Sequence, residues 1–183
     1  QGAKCIILCN EEPTHRVGAR YLTAAAGMSA REVRDNMSKA QAMYEPVMNN
    51  IKIKEAGGRD MAWVESVCKS YKPDVLVLDM GDKFGVQGSF ARQDEALKAC
   101  AIYARLSAEA EGRSQLNQSM MEGSRTGKAA EADLMILIGK SPSVQGQEED
   151  SPLRHINIVK NKLNGWHGMV NCNLDYLTAR YEE

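Results

Sequence analysis

Apolar and polar positions along the chain follow two periods, and the period changes mark the elements. Residues 4–9 (KCIILC) are a short apolar run with polar ends, which predicts a buried strand. The run stops at Asn10-Glu11-Glu12-Pro13, and Pro13 is placed to open a helix. Over residues 14–26, Val17, Tyr21, Leu22 and Ala25 recur at helical spacing, with Gly27 as the C-cap. Ser29-Ala30-Arg31-Glu32 has the spacing of a capping box. The helix it starts carries Val33, Met37, Ala40 and Tyr44 and runs until Pro46. Ile51-Lys52-Ile53-Lys54 alternates, as a strand with one wet face does. Asp60 is the expected N-cap of a helix with Met61, Val64, Cys68 and Tyr71 on one face, ended by Lys72-Pro73. Residues 74–79 (DVLVLD) read as a continuous buried strand.

In the second half, residues 81–90 are glycine-rich and irregular, and residues 91–111 have the pattern of a helix with Ala96, Ala99, Cys100, Tyr103 and Leu106 inward. Residues 112–127 form a polar loop, residues 134–138 (LMILI) a buried strand, and residues 141–152 a second loop. Residues 154–160 and 168–174 read as two more strands joined by a short turn. Helices alternating with continuous apolar strands predict an α/β fold with a mostly parallel central sheet covered on both faces. The last two strands, joined by a short connection, are expected as an antiparallel edge addition.

Length and composition narrow the class. The 183 residues suit a single domain. With 43% hydrophobic and 26% charged residues and a net charge of −1, the chain is neither disordered, nor collagen-like, nor a basic nucleic-acid coat. No apolar stretch approaches the roughly 20 residues of a membrane helix, and no signal peptide is expected from residues 1–9. The first residue is Gln rather than Met, so the chain is expected to be processed or taken from a longer one. The five cysteines form no CxxC pair and have no histidine at metal-ligand spacing, so buried reduced thiols are expected.

Ligands of open α/β sheets bind beyond the carboxyl ends of the strands. Three polar groups end apolar strands: Glu11, Asp79 and the pair Lys160 and Lys162. Asp79 follows four apolar residues, the shape of a Walker B strand whose acid holds magnesium-bound water near phosphates. A turn or capping role is the alternative. Glu11 is placed to polarise a water for attack on a phosphate, with Glu12 competing for the role and a favourable charge at a helix N-terminus as the alternative. Lys160 and Lys162 lie on the same side of an extended segment and suit a polyphosphate, unless they are only a solvated strand end. Within residues 112–128, Arg113, Arg125 and Lys128 face one acid, Glu122, leaving a local charge of +2 suited to a nucleic-acid backbone. An ordinary surface loop is the alternative.

In combination these segments resemble the RecA-type ATPase core, and within it the DnaB-type replicative helicases and their phage relatives. The likeness lies in Leu8-Cys9-Asn10-Glu11 with Arg20 nine residues on, and in Val77-Leu78-Asp79. It extends to Gly123-Ser124-Arg125-Thr126-Gly127-Lys128 with Glu131-Ala132-Asp133. Ile158-Val159-Lys160-Asn161-Lys162 with Asn164-Gly165 and a final Arg180-Tyr181 completes it. The resemblance implies a RecA-like three-layer sandwich over residues 1–183. It implies a hexameric ring that binds ATP with Mg2+ between subunits and moves on single-stranded DNA, in the cytoplasm of a bacterial cell or phage-infected host. Glu11, chosen over Glu12 by the spacing to Arg20, would be the catalytic base, and Asp79 would hold the magnesium shell. Lys160 and Lys162 would reach the γ-phosphate of the adjacent subunit, Arg180 and Tyr181 would contact the nucleotide, and Arg113, Arg125 and Lys128 would face DNA.

The chain departs from this pattern in three places. No Gly-x4-Gly-Lys-Ser/Thr loop occurs in the 183 residues, so the chain alone is expected to bind ATP poorly. The helix expected over 91–111 leaves no core strand before the DNA loop, so that strand is either lacking or hidden inside the helical pattern. At position 162 a lysine stands where the helicases carry arginine, a feature of the RecA recombinases. A filament-forming recombinase and a non-catalytic RecA-like interaction module are therefore the competing readings.

Overall fold

Strand β1 (Cys5–Cys9) is buried on both faces, and its alternation divides the core in two. Ile6 and Leu8 point to one side, where they pack with Leu76 and Leu78 of β3 (Val75–Asp79) against Val64 and Cys68 of helix α4 (Met61–Tyr71). Ile7 and Cys9 point to the other side. There they meet Val17 of α1 (Thr14–Ala26), Ile51 and Ile53 of β2 (Ile51–Glu55), and Val77. Helices thus cover both faces of one sheet, in three layers. Ile6, Leu8, Leu76, Leu78 and Val64 are all 0% exposed, and truncating one such leucine to alanine costs about 2–5 kcal/mol.

The computed structural model describes residues 2–84, 100–104, 112–120, 132–140 and 151–183. The chain divides into two compact units, Gln1–Arg105 and Leu106–Glu183. In the first unit a four-stranded parallel sheet runs in the order β2-β1-β3-β4. Its β4 is Cys100–Ala104, in register with β3 from Val75↔Cys100 to Asp79↔Ala104. This strand corrects the sequence reading of residues 91–111 as one helix. Ala-rich helical periodicity masked a five-residue strand, and the core strand that the pattern lacked lies inside it.

Local signals set the helix ends. Gly27 caps α1 in the left-handed region at φ 62°. Ser29 and Glu32 form the expected capping box at α2 (Ala30–Asp35). The Asp60 carboxylate accepts a 2.9 Å bond from the Trp63 amide at the start of α4. The helix expected from Ser29 to Pro46 is two helices, α2 and α3 (Met37–Met48), separated at Asn36. Pro46 lies inside α3 rather than ending it. Val33 and Ala40 are buried with Ala26, so the apolar stripe continues across the break.

The second unit is an antiparallel sheet ordered β5-β6-β7-β8. Its strands are Leu134–Lys140, Leu153–Asn161, Gly168–Asp175 and Arg180–Glu182. The antiparallel addition is therefore larger than expected. Strand β5 belongs to it, and β8 is a strand the sequence pattern did not reveal. Strand β5 is also not buried throughout: Met135 is 6% exposed, whereas Leu134, Ile136 and Ile138 are 41%, 50% and 52% exposed. Its pairing with β6 shifts register between Met135 and Ile136.

Candidate active site

The acidic cluster is built by the carboxyl ends of β1 and β3, which lie side by side with Leu8 opposite Leu78. Asp79 is the last residue of β3, and Glu11 and Glu12 follow β1 by two and three residues. Beyond Asp79 the chain turns at Met80, a non-glycine residue in the left-handed region at φ 53°. That conformation costs about 1–3 kcal/mol and has to be held by its surroundings. A 3-10 turn, Gly81–Phe84, follows, and Phe84 anchors it at 0% exposure among Ile6, Leu8, Leu76 and Leu78. The anchored turn delivers Lys83, whose Nζ donates to Glu11 Oε1 at 2.5 Å.

The two glutamates have different partners. Arg20, on α1, donates through both terminal guanidinium nitrogens to the two carboxylate oxygens of Glu12. That hydrogen bond holds the Glu12 carboxyl below the ordinary glutamate range, and the same pair raises Arg20 further. Asp79 behaves oppositely. Burial raises its carboxyl, Glu11 and Glu12 raise it further, and Lys83 and Arg20 oppose the shift. Burial, together with Asp79 and Glu12, also pushes up the neighbouring Cys9 thiol. The Asn10 side-chain nitrogen, next to Cys9 and Glu11 in sequence, is buried without a hydrogen-bond partner among the described residues.

Three carboxylates therefore meet two cations at the end of the parallel sheet. Among the described residues, no group of three or more His, Cys, Asp or Glu side chains is arranged to hold a metal ion directly. A surplus of negative charge around one partly buried aspartate fits a divalent cation held through its water shell. No Gly-x4-Gly-Lys-Ser/Thr loop that would cradle phosphates occurs among the 183 residues.

The second unit holds the other sequence candidates. Lys162 Nζ lies 3.2 Å from Asp133 Oδ1, and the Lys162 amide donates to the Asp133 carbonyl at 2.8 Å. Desolvation and the adjacent Lys162 charge lower Lys160 from its ordinary value, and Asp133 opposes them. Arg180 and Tyr181 sit in β8 opposite Asp175 and Leu174, both exposed. Arg113 is exposed in the segment 112–120, whereas Arg125 and Lys128 lie outside the described residues. Glu11 and Asp79 are thus brought together within the first unit, while Arg113, Lys160, Lys162, Arg180 and Tyr181 all belong to the second.

Two residues escaped the sequence pattern. Lys83 lies in a glycine-rich stretch read as irregular, and its one signal is its place four residues after the strand-ending acid. Asn157 sits mid-strand in β6, 4% exposed, where an apolar residue is the ordinary occupant.

Among the described residues no helix is long and apolar enough to cross a membrane. No family model matches the sequence, and no curated protein matches it. Solved structures do. The chain superimposes on a DnaB-like replicative helicase, described with its interactions with primase, with a TM-score of 0.74 at 13% identity. That match covers 98% of this chain and 50% of the helicase, so the chain spans about half of that protein's length. It also superimposes on a second solved structure, described as an ATPase domain, with a TM-score of 0.73 at 14% identity, covering 98% of this chain and 74% of that domain. The chain has the RecA-like α/β fold of helicase ATPase domains.

Proposed function

We propose that this chain is the ATPase-core portion of a phage-type replicative DNA helicase, which couples ATP hydrolysis to movement on single-stranded DNA as a hexameric ring in the cytoplasm. The observation that carries the reading is the meeting of Glu11 and Asp79 at the carboxyl ends of adjacent buried strands, in a fold shared with helicase ATPase domains. Glu11 takes the proton of the attacking water. Arg20 occupies Glu12 and keeps it from competing. Asp79 would hold the water shell of Mg2+, which when bound would supply charge neutralisation for the phosphates of ATP. Lys160 and Lys162 reach toward the γ-phosphate of a neighbouring subunit, with Arg180 and Tyr181 at the nucleotide. Arg113, Arg125 and Lys128 contact the DNA backbone.

The test is ATP hydrolysis by the full-length polypeptide with and without single-stranded DNA, beside its Glu11→Gln variant. DNA is expected to stimulate turnover, and the variant is expected to lose about 10^2–10^4-fold in rate while nucleotide binding stays. Retained turnover removes Glu11 from the role of base. The lysine at 162 favours a second reading, a recombinase, and electron micrographs decide between them: six-fold rings support the helicase, filaments on DNA the recombinase. An in-frame Gly-x4-Gly-Lys-Ser/Thr motif within about 30 residues before Gln1, the length of one strand–loop–helix unit, excludes a non-catalytic module.

A further inference from the structure

Asn157 is buried in the middle of β6, and every polar atom of its amide is engaged. Its Oδ1 accepts from the Leu116 amide at 3.2 Å. Its Nδ2 donates to the Ser114 carbonyl at 3.0 Å and to the His155 carbonyl at 2.9 Å. Two of these three partners lie more than 40 residues earlier in the chain, on the segment 112–120 that opens the polar loop. The same segment is fastened a second time, by the Lys140 amide donating to the Arg113 carbonyl at 3.0 Å. It approaches β5 so closely that a Cβ on Gly139 would lie 2.5 Å from the Arg113 oxygen and 2.6 Å from that of Ser114. Leu116, on the same segment, is itself buried at 5% exposure.

The loop's first residues are therefore sewn to the sheet at Asn157 and Gly139, with Arg113 exposed at the seam. Lys160 follows Asn157 by three residues on the same strand. Plain alternation would put the two on opposite faces. The register shift undoes this, because it sets one extra residue into β6: Asn157 pairs with Leu137 and Lys160 with Met135. Leu137 and Met135 share a face of β5, so Asn157 and Lys160 share that face too. One face of one strand thus bears both the loop clamp and the first of the two lysines. An asparagine suits the task because it offers a donor and an acceptor to a backbone that needs both.

We propose that Asn157 is a positioning residue that ties the DNA-facing loop to the strand leading to Lys160 and Lys162, so that DNA on the loop governs where those lysines stand. This rests on the helicase reading above. Asn157→Leu removes both bonds to the loop. Gly139→Ala, an independent probe, pushes the Arg113 and Ser114 carbonyls away while leaving Asn157 in place.

The experiment measures ATP turnover of the full-length polypeptide with and without single-stranded DNA, together with DNA affinity and hydrogen exchange at the Leu116 amide. In both variants exchange at Leu116 is expected to accelerate. DNA stimulation is expected to fall about tenfold, within the usual range of coupling between two sites. DNA-free turnover is expected to stay within about twofold of the parent. If DNA-free turnover falls in parallel, Asn157 only holds the fold together and the proposal fails. Stimulation unchanged in both variants also overturns it. A parent protein that DNA does not stimulate at all sinks the helicase reading itself, and with it the coupling role.

Discussion

Arg20 closes on Glu12 through both guanidinium nitrogens and so gives two adjacent glutamates different partners. Glu11 is left facing Lys83 across the end of the sheet. The two glutamates are therefore expected to respond differently to the same substitution. Glu12→Gln and Arg20→Ala, which break an exposed pair, should change ATP turnover by no more than about fivefold. Glu11→Gln should remove it. Steady-state rates of the three variants side by side check this ranking, and an equal loss in Glu12→Gln would reassign the base.

Asp79 makes stability depend on pH in an unusual direction. Burial and two nearby acids raise its carboxyl in the folded state. The native state then binds more protons than the unfolded one in the window above the ordinary aspartate value of about 4. Stability from this group is present below that value and is lost as pH rises through the window. Asp79→Asn should have a higher urea midpoint than the parent at pH 7, and the gap should close near pH 4. A gap that widens toward acid would mean that Lys83 and Arg20 hold Asp79 charged.

The cap of α4 is a purely structural test. The Asp60 carboxylate satisfies the Trp63 amide, one of the orphan donors of the first turn. Asp60→Ala should destabilise the chain by about 1 kcal/mol, whereas Asp60→Ser should cost only a few tenths. Denaturant midpoints at constant slope measure both.

Arg113 should act on DNA as a point charge rather than a base reader. Arg113→Ala is expected to weaken binding to all single-stranded sequences alike. It should reduce the slope of log affinity against log salt by about 0.7, the value for one phosphate contact on a single strand. Anisotropy titrations on two oligonucleotides over a salt series supply the numbers. A loss confined to one sequence would contradict a backbone contact.

Strands β1 and β3 were legible because they carry little else than apolar residues and are largely buried. The run at residues 4–9 and the run at 75–78 needed no tertiary information, and Ser29-Glu32 and Asp60 marked helix starts through short-range hydrogen bonds alone. Strand β4 was illegible because Cys100-Ala101-Ile102-Tyr103-Ala104 suits either period: five residues this rich in alanine cannot distinguish a helix turn from a strand. Its state is decided by the β3 edge beside it. The break at Asn36 was hidden because the apolar stripe through Val33 and Ala40 survives it. The extra residue in β6 was hidden too, since only the pairing with β5 shows it. At the site, the sequence gathered Glu11 and Asp79 through their places at strand ends. It could not show which cation each acid meets, because Lys83 reaches Glu11 across 72 positions.

The two sheets also differ in the distance along the chain that their pairings must close. Strands β6 and β7 are neighbours joined by residues 162–167, a connection that a hairpin closes in about 1–10 μs. The parallel sheet has no such shortcut. Each of its pairings spans a crossover, and β1 must wait for residues 51–55 and then 75–79 before it is flanked on both sides. Entropy of loop closure is spent there before contacts repay it, which slows folding. The antiparallel sheet is thus expected to form first, and the strand ends that position Glu11 and Asp79 to be assembled at the slower pace of the long-range sheet.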